Sequence, residues 1–122
     1  NNALLFVDDA HGFGVAQNCN NDFPCSRNIK KFKGAKIDAY IGTFGKAIGT
    51  FGAFIAGSNE LINLMVQKSR PYIYSTALPT ALVATTIESI NIIKSKPSLV
   101  NKLYENIKYF KKLVKFNNKK VN

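Results

Sequence analysis

The sequence has no long apolar run. Glycine, asparagine or charge breaks every hydrophobic stretch within a few residues, so no membrane-spanning helix is expected. No basic, apolar and small-residue leader is present, so nothing points to export and a cytoplasmic location is expected. Arginine is scarce. Arg27 and Arg70 do not cluster, and a nucleic-acid module would want such residues for bidentate phosphate or base contacts. Cysteine is scarce too. Cys19 and Cys25 lie in a polar stretch, and a lone pair without export signals is expected reduced rather than bridged. With His11 as the only histidine, the ligands for a zinc site are too few, and no metal is expected. There is no internal repeat. There is also no methionine at residue 1, and Ala3-Leu4-Leu5-Phe6-Val7 is already a strand of the buried type. Such a strand needs neighbours on both faces, so the chain reads as an internal piece of a larger protein.

What is present suits one domain or part of one. The 122 residues are 46% hydrophobic, enough for a core. The net charge of +10 is carried almost entirely by lysine. Much of it lies late in the chain, at Lys94, Lys96, Lys102, Lys108, Lys111, Lys112, Lys115, Lys119 and Lys120. A basic nucleic-acid-binding module is one reading; solvated helix faces are the preferred one.

Residues 3–8 read as a continuous apolar strand ending in Asp8-Asp9, followed by a turn through Ala10-His11-Gly12-Phe13-Gly14. Polar groups at the carboxyl end of a parallel strand are where α/β proteins place ligand contacts. Residues 16–36 read as a polar surface loop, 37–43 as a second strand and 51–56 as a third. Ser58 is placed to cap a helix that carries Glu60 in its first turn and ends near Arg70, because Pro71 disfavours helix before it. Tyr72-Ile73-Tyr74-Ser75-Thr76 reads as extended. Pro79 can open the next helix, with an apolar stripe of Leu82, Val83, Thr86, Ile87, Ile90 and Ile93. A break at Ser95-Lys96-Pro97 precedes a last helix, with Leu99, Leu103, Ile107, Phe110 and Val114 on one face. The pattern fits an α/β layer protein with much of its sheet absent.

The chain is organised around Gly42-Thr43-Phe44-Gly45-Lys46-Ala47-Ile48-Gly49, one lysine among small residues between two strands. Glycine at this density implies a backbone that turns sharply or approaches a ligand. A lysine with little room to reach water has a lowered pKa, and a neutral amine attacks aldehydes to form a Schiff base. The alternative is a glycine-rich turn with a solvated lysine at its tip. A phosphate-loop reading fails, since Tyr40 stands where the motif needs glycine and Ala47 where it needs Ser or Thr. An aldehyde cofactor with a ring nitrogen and a phosphate would use Lys46 for the aldehyde, a carboxylate such as Asp8 for the nitrogen, and hydroxyls and backbone N–H groups for the phosphate. Asp9 reads as structural or solvated. Phe44, Phe51 and Phe54 read as core.

Three blocks carry a family resemblance: Val7-Asp8-Asp9-Ala10-His11-Gly12-Phe13-Gly14-Val15, then Thr43 through Ser58, then Arg70-Pro71-Tyr72-Ile73-Tyr74-Ser75-Thr76-Ala77-Leu78-Pro79. In this order they resemble the α-oxoamine synthases, which use pyridoxal phosphate (PLP), and they cover about half of the chain. The resemblance implies a fold class: α/β, part of the large domain of an aspartate-aminotransferase-like (fold type I) PLP-dependent transferase, a mostly parallel sheet flanked by helices. It implies that residues 1–96 belong to the PLP-binding large domain, and that 97–122 form a helix leading toward a C-terminal domain. It implies that Lys46 holds the cofactor and moves the α-proton, Asp8 pairs with the ring nitrogen, His11 hydrogen-bonds the ring's phenolic oxygen and Thr43 contacts the phosphate. Tyr74, Ser75 and Thr76 would reach the site of a second subunit in a homodimer.

The implied reaction condenses an amino acid with an acyl thioester, on coenzyme A or acyl carrier protein, with loss of carbon dioxide. The glycine after His11, the Ser-Thr-Ala-Leu-Pro run and the Thr-Phe-Gly-Lys wording favour the biotin-synthesis branch, which takes L-alanine and a pimeloyl thioester. Branches using glycine or serine are the first alternative. The family's ring-stacking histidine is expected upstream of residue 1, and its arginine for the substrate carboxylate beyond residue 122. The sequence departs from the family after Val15, where Ala16-Gln17-Asn18-Cys19-Asn20-Asn21 makes a longer loop. A helicase Asp-Glu-Ala-His box is only superficially similar to Val7 through His11, and no phosphate loop accompanies it. Binding to nucleic acid or membrane is not expected.

Overall fold

A computed structural model describes residues 3–15 and 37–114. The expected polar loop over 16–36, with Cys19, Cys25 and Arg27, lies outside the described residues, as does the tail bearing Lys115, Lys119 and Lys120. The described elements are β1 (Phe6–Asp8), β2 (Ala39–Thr43), β3 (Ala53–Gly57), α1 (Asn59–Lys68), α2 (Arg70–Ile73), α3 (Thr80–Ser95) and α4 (Pro97–Leu113).

The strands form one sheet in the order β1-β2-β3. β1 runs parallel to β2, with Phe6 opposite Ala39 and Asp8 opposite Ile41. β2 and β3 are antiparallel, with Thr43 opposite Ala53 and Ala39 opposite Gly57. Connection length explains the difference: a short loop can reverse the chain between β2 and β3, whereas the stretch between β1 and β2 is long enough for a crossover. Asp38 fixes the β1 register from just outside β2. Its Oδ2 accepts the Leu5 N–H at 2.9 Å, while its own N–H and that of Ala39 donate to the Leu5 carbonyl at 3.0 and 3.2 Å. The strands are shorter than the apolar runs that encode them. Leu4 and Phe6 are exposed, so the cover expected on both faces of β1 does not come from the described residues.

The helix signals act as expected at α1, where Ser58 caps the helix and accepts the Leu61 N–H. Pro79 is the N-cap of α3, and Pro97 opens α4. The segment from Tyr72 differs from expectation. Pro71 does end α1 before Arg70, but it also sits in the first turn of α2, where its missing N–H costs nothing. Tyr72 and Ile73 are therefore helical, their N–H groups donating to the Ser69 carbonyl, and only the residues after Tyr74 are irregular. Along α3 the expected stripe is narrower than its apolar residues suggest: Val83 and Ile87 are exposed, while Thr86 is buried. Leu99, Leu103, Ile107 and Phe110 of α4 are likewise exposed. The α4 lysines are solvated, and Lys102 pairs with Glu105 at 3.8 Å, an exposed contact of small energetic weight. Among the described residues no helix is long and apolar enough to cross a membrane.

The packing centre is Phe54 on β3. Phe13 meets its ring edge-on at 5.0 Å between centroids, Phe44 stacks on it at 5.2 Å, and Tyr40 lies tilted at 5.9 Å. Among the described residues, Phe13, Ala39 and Ile48 are the buried hydrophobic ones. Phe51, also expected in the core, is 64% exposed. Gly42 lets Phe54 lie against β2, because a Cβ there would sit 2.5 Å from the ring. In the full-length protein, Gly42→Ala should therefore unseat Phe54 and cost about 2 kcal/mol. Urea unfolding is the measurement, and a midpoint equal to wild type would contradict this packing.

Candidate functional site

Parallel pairing of β1 and β2 brings two sequence-distant ends together. Asp8 closes β1 and is aligned with Ile41, and Thr43 closes β2 two residues further on. Both strands thus deliver polar residues to the same end of the sheet, as their sequence implies. Asp8 is exposed, and its Oδ1 accepts the Ala10 N–H at 3.0 Å. That bond engages one carboxylate oxygen. The chain then turns: the N–H groups of Gly12 and Phe13 donate to the Asp9 carbonyl, and that of Val15 to Gly12. His11 rides this turn, exposed.

Neighbouring carboxylates have opposite fates. Side chains alternate along a strand, so Asp9 points away from the side that Asp8 takes and is only 6% exposed. Its Oδ2 accepts the Tyr40 hydroxyl at 2.6 Å. Burial, then the hydrogen bond to Asp9 and its negative charge, push the Tyr40 phenol far above its ordinary value. Of the two options for Asp9, structural is therefore right and solvated wrong. In the sequence Tyr40 serves only to exclude a phosphate loop, although a tyrosine inside a buried-type strand needs a partner for its hydroxyl.

Lys46 lies at the far end of the loop joining β2 to β3. The loop is closed at its base by Phe44 N–H to Gly52 O at 2.9 Å and Thr50 N–H to Phe44 O at 2.8 Å. Gly49 N–H donates to the Lys46 carbonyl at 2.9 Å and turns the chain back. Thr43 braces the same loop: its hydroxyl donates to Gly52 O at 3.1 Å and accepts the Gly45 N–H at 3.3 Å. The single hydroxyl proton of Thr43 is thereby committed. In this arrangement an anion near Thr43 would have to draw the hydroxyl away from Gly52 to receive its proton.

Lys46 is exposed. The enclosure expected from its small neighbours is not supplied by the described residues: Gly45, Ala47 and Gly49 are themselves exposed, and only Ile48 of the loop is buried. The turn bearing His11 reaches this loop directly. A Cβ on Gly14, which has φ +84°, would lie 3.1 Å from the Ala47 Cβ, so only glycine allows so close a junction. From the other side, Leu78 comes near Gly52 and brings in the stretch after α2. Tyr74, Ser75 and Thr76 within it are exposed. Among the described residues, no group of three or more His, Cys, Asp or Glu could hold a metal ion.

A family model for aminotransferases of class I and II matches residues 1–120. The chain belongs to that family. It is 42% identical over 113 residues to the 8-amino-7-oxononanoate synthase of Thermoanaerobacter pseudethanolicus, a match covering 93% of this chain and 28% of that protein. Among solved structures it is similar to a serine palmitoyltransferase determined with its PLP internal aldimine, at TM-score 0.73 and 28% identity over 86% of this chain and 25% of the other. It is also similar to the 8-amino-7-oxononanoate synthase of Francisella tularensis, at TM-score 0.70 and 27% identity over 89% of this chain and 32% of that one. These proteins are of the α-oxoamine synthase kind that the three motifs resemble, and the fold is that of type I PLP-dependent enzymes. The chain spans about a quarter to a third of the length of these relatives.

The partly buried Tyr40–Asp9 pair has a measurable consequence for stability. Tyr40→Phe strands the Asp9 carboxylate and should cost about 2 kcal/mol at neutral pH. The folded protein holds the Tyr40 proton more tightly than the unfolded chain does, so wild type should lose stability as pH rises above about 10. The variant should lack that component. Thermal unfolding of both proteins from pH 8 to 11 checks it: the gap between them should narrow as pH rises, and a constant gap would contradict the assignment.

Proposed function

We propose that this chain is the cofactor-anchoring part of an 8-amino-7-oxononanoate synthase, a PLP-dependent acyltransferase of biotin biosynthesis. The observation that carries the reading is the delivery of Asp8, Thr43 and the Lys46 loop to one end of the sheet, in a chain 42% identical to such an enzyme. The overall reaction joins L-alanine to a pimeloyl thioester and releases carbon dioxide and the thiol. Residues 1–96 form part of the PLP-binding domain, and 97–122 lead toward a C-terminal domain.

The donor set fits PLP chemically. Lys46 is an exposed primary amine, which an aldehyde requires. Asp8 is an exposed carboxylate whose Oδ1 is held by Ala10. When bound, PLP supplies an electron sink for the charge left on the amino acid's α-carbon. Asp8 maintains that sink by placing a negative charge where the ring nitrogen must stay protonated. Lys46 anchors the cofactor and takes the α-proton on Nζ. His11, on the turn fixed by the Asp9 carbonyl, donates to the phenolic oxygen. The Gly45 N–H and the Thr43 hydroxyl serve the phosphate once Thr43 leaves Gly52. Tyr74, Ser75 and Thr76 serve the site of a second subunit, so the working enzyme is a homodimer. Similarity to serine palmitoyltransferase supports a second reading in which the amino acid is serine.

Borohydride reduction of the full-length protein with PLP, followed by peptide mass mapping, is the decisive experiment. A pyridoxyl adduct should sit on Lys46 and vanish in Lys46→Ala, whereas an adduct on another residue, or none, would overturn the site. Asp8→Asn should still trap the cofactor but lower turnover at least about a hundredfold, because the ring loses the partner that keeps it protonated. Exchange of the α-proton in deuterated water should proceed with alanine well ahead of glycine and serine. Faster exchange with serine would select the second reading.

A further inference from the structure

The loop bearing Lys46 is tied not only to its own strands but to a helix some forty residues later in the chain. Thr86 and Ser89 lie three positions apart on α3, hence on one face. The Ser89 hydroxyl donates to the Ile48 carbonyl at 2.6 Å. The Thr86 and Thr50 hydroxyls are 2.8 Å apart. Direction follows from proton count: Thr86 has one hydroxyl proton, and it goes to the Leu82 carbonyl at 2.8 Å. Thr50 must then be the donor and Thr86 the acceptor. Ile48, between the two contacts, is 3% exposed, and Thr86 is 7% exposed, so both bonds lie at least partly out of water.

We propose that Thr86 and Ser89 are positioning residues, which clamp the lysine loop at Ile48 and Thr50 and so fix the direction in which Lys46 leaves the sheet. The loop's remaining hydrogen bonds are local. Phe44 to Gly52, Thr50 to Phe44 and Gly49 to Lys46 all lie within the hairpin and would move with it. The α3 contacts tie the hairpin to a separate rigid element. The two clamp points lie two and four residues beyond Lys46, so slack there transmits to the lysine backbone within one turn of chain. The clamp stands on its own geometry; its consequence for cofactor attachment rests on the reading proposed above.

The test uses Thr86→Val and Ser89→Ala together in the full-length protein, because valine keeps the shape of threonine and removes only the hydroxyl. In cofactor-free protein, hydrogen exchange of the amides from Gly45 to Thr50 should accelerate about tenfold, with β1 and β2 unchanged. In cofactor-loaded protein, the pH midpoint of the visible absorption band should shift and adduct formation at Lys46 should slow about tenfold, since less of the loop population is aligned. Thr86→Ser keeps the acceptor and should restore wild-type behaviour. Unchanged loop exchange, or acceleration spread equally over the sheet, would overturn the clamp. If the double variant does not fold, Thr50→Val removes the same contact from the loop side, and the same two exchange outcomes decide. No adduct on wild-type Lys46 would overturn the cofactor reading and its consequence here, leaving exchange to judge the clamp alone.

Discussion

The parallel pairing of β1 with β2 is the contact on which the rest depends. It joins segments separated by some thirty residues, and the loss of chain entropy on closing so long a connection must be met by bonds at the junction. Those bonds are concentrated. Asp38 grips Leu5 through its side chain and its backbone, Asp9 donates its N–H to Ile41 at 2.8 Å, and Tyr40 reaches across to the Asp9 carboxylate. A short strand can be held this way because its ladder is extended at both ends by side chains. Without the pairing, the carboxylate of Asp8 and the amine of Lys46 would belong to unrelated parts of the chain.

From that junction the site is built outward by close contacts among small residues. Gly14 against Ala47 joins the His11 turn to the lysine loop, and Gly42 under Phe54 joins β2 to β3. Phe54 then gathers Phe13, Phe44 and Tyr40. The aromatic cluster and the polar end of the sheet are thus two sides of one arrangement: Phe13 follows His11 by two residues, and Phe44 precedes Lys46 by two. Packing the phenylalanines together steadies the turn and the loop, and leaves His11 and Lys46 exposed. Apolar surface nonetheless remains open at Leu4, Phe6, Phe51 and along α4. Sheet and helix faces of this composition are stable when other layers cover them, and the relatives are about three times as long as this chain.

Legibility followed the range of the interaction. Elements set by neighbouring residues could be read: the Ser58 cap, the proline boundaries of α3 and α4, and three strands in about the right places. Tyr72 and Ile73 were misread because Pro71 permits two outcomes, a stop before it or a start around it, and local sequence does not choose. The roles of Tyr40, Thr86 and Ser89 could not be assigned because each depends on a partner 31, 36 or 41 positions away. Thr86 even passed for part of an apolar stripe, since its burial is real while its hydroxyl serves the loop.

By itself, the sequence determined the chemistry on offer and its family. A lone lysine among glycines, an Asp-Asp-Ala-His turn and a Tyr-Ser-Thr segment were distinctive in type and order, because reactive groups are named directly by the residues that carry them. Only the tertiary structure decided which of the paired aspartates faces water, that the second sheet pairing is antiparallel, that Lys46 stands in the open, and that α3 grips the loop behind it. Those outcomes turn on which backbone and side-chain groups satisfy one another across the fold, a condition of the whole chain that no single stretch of it specifies.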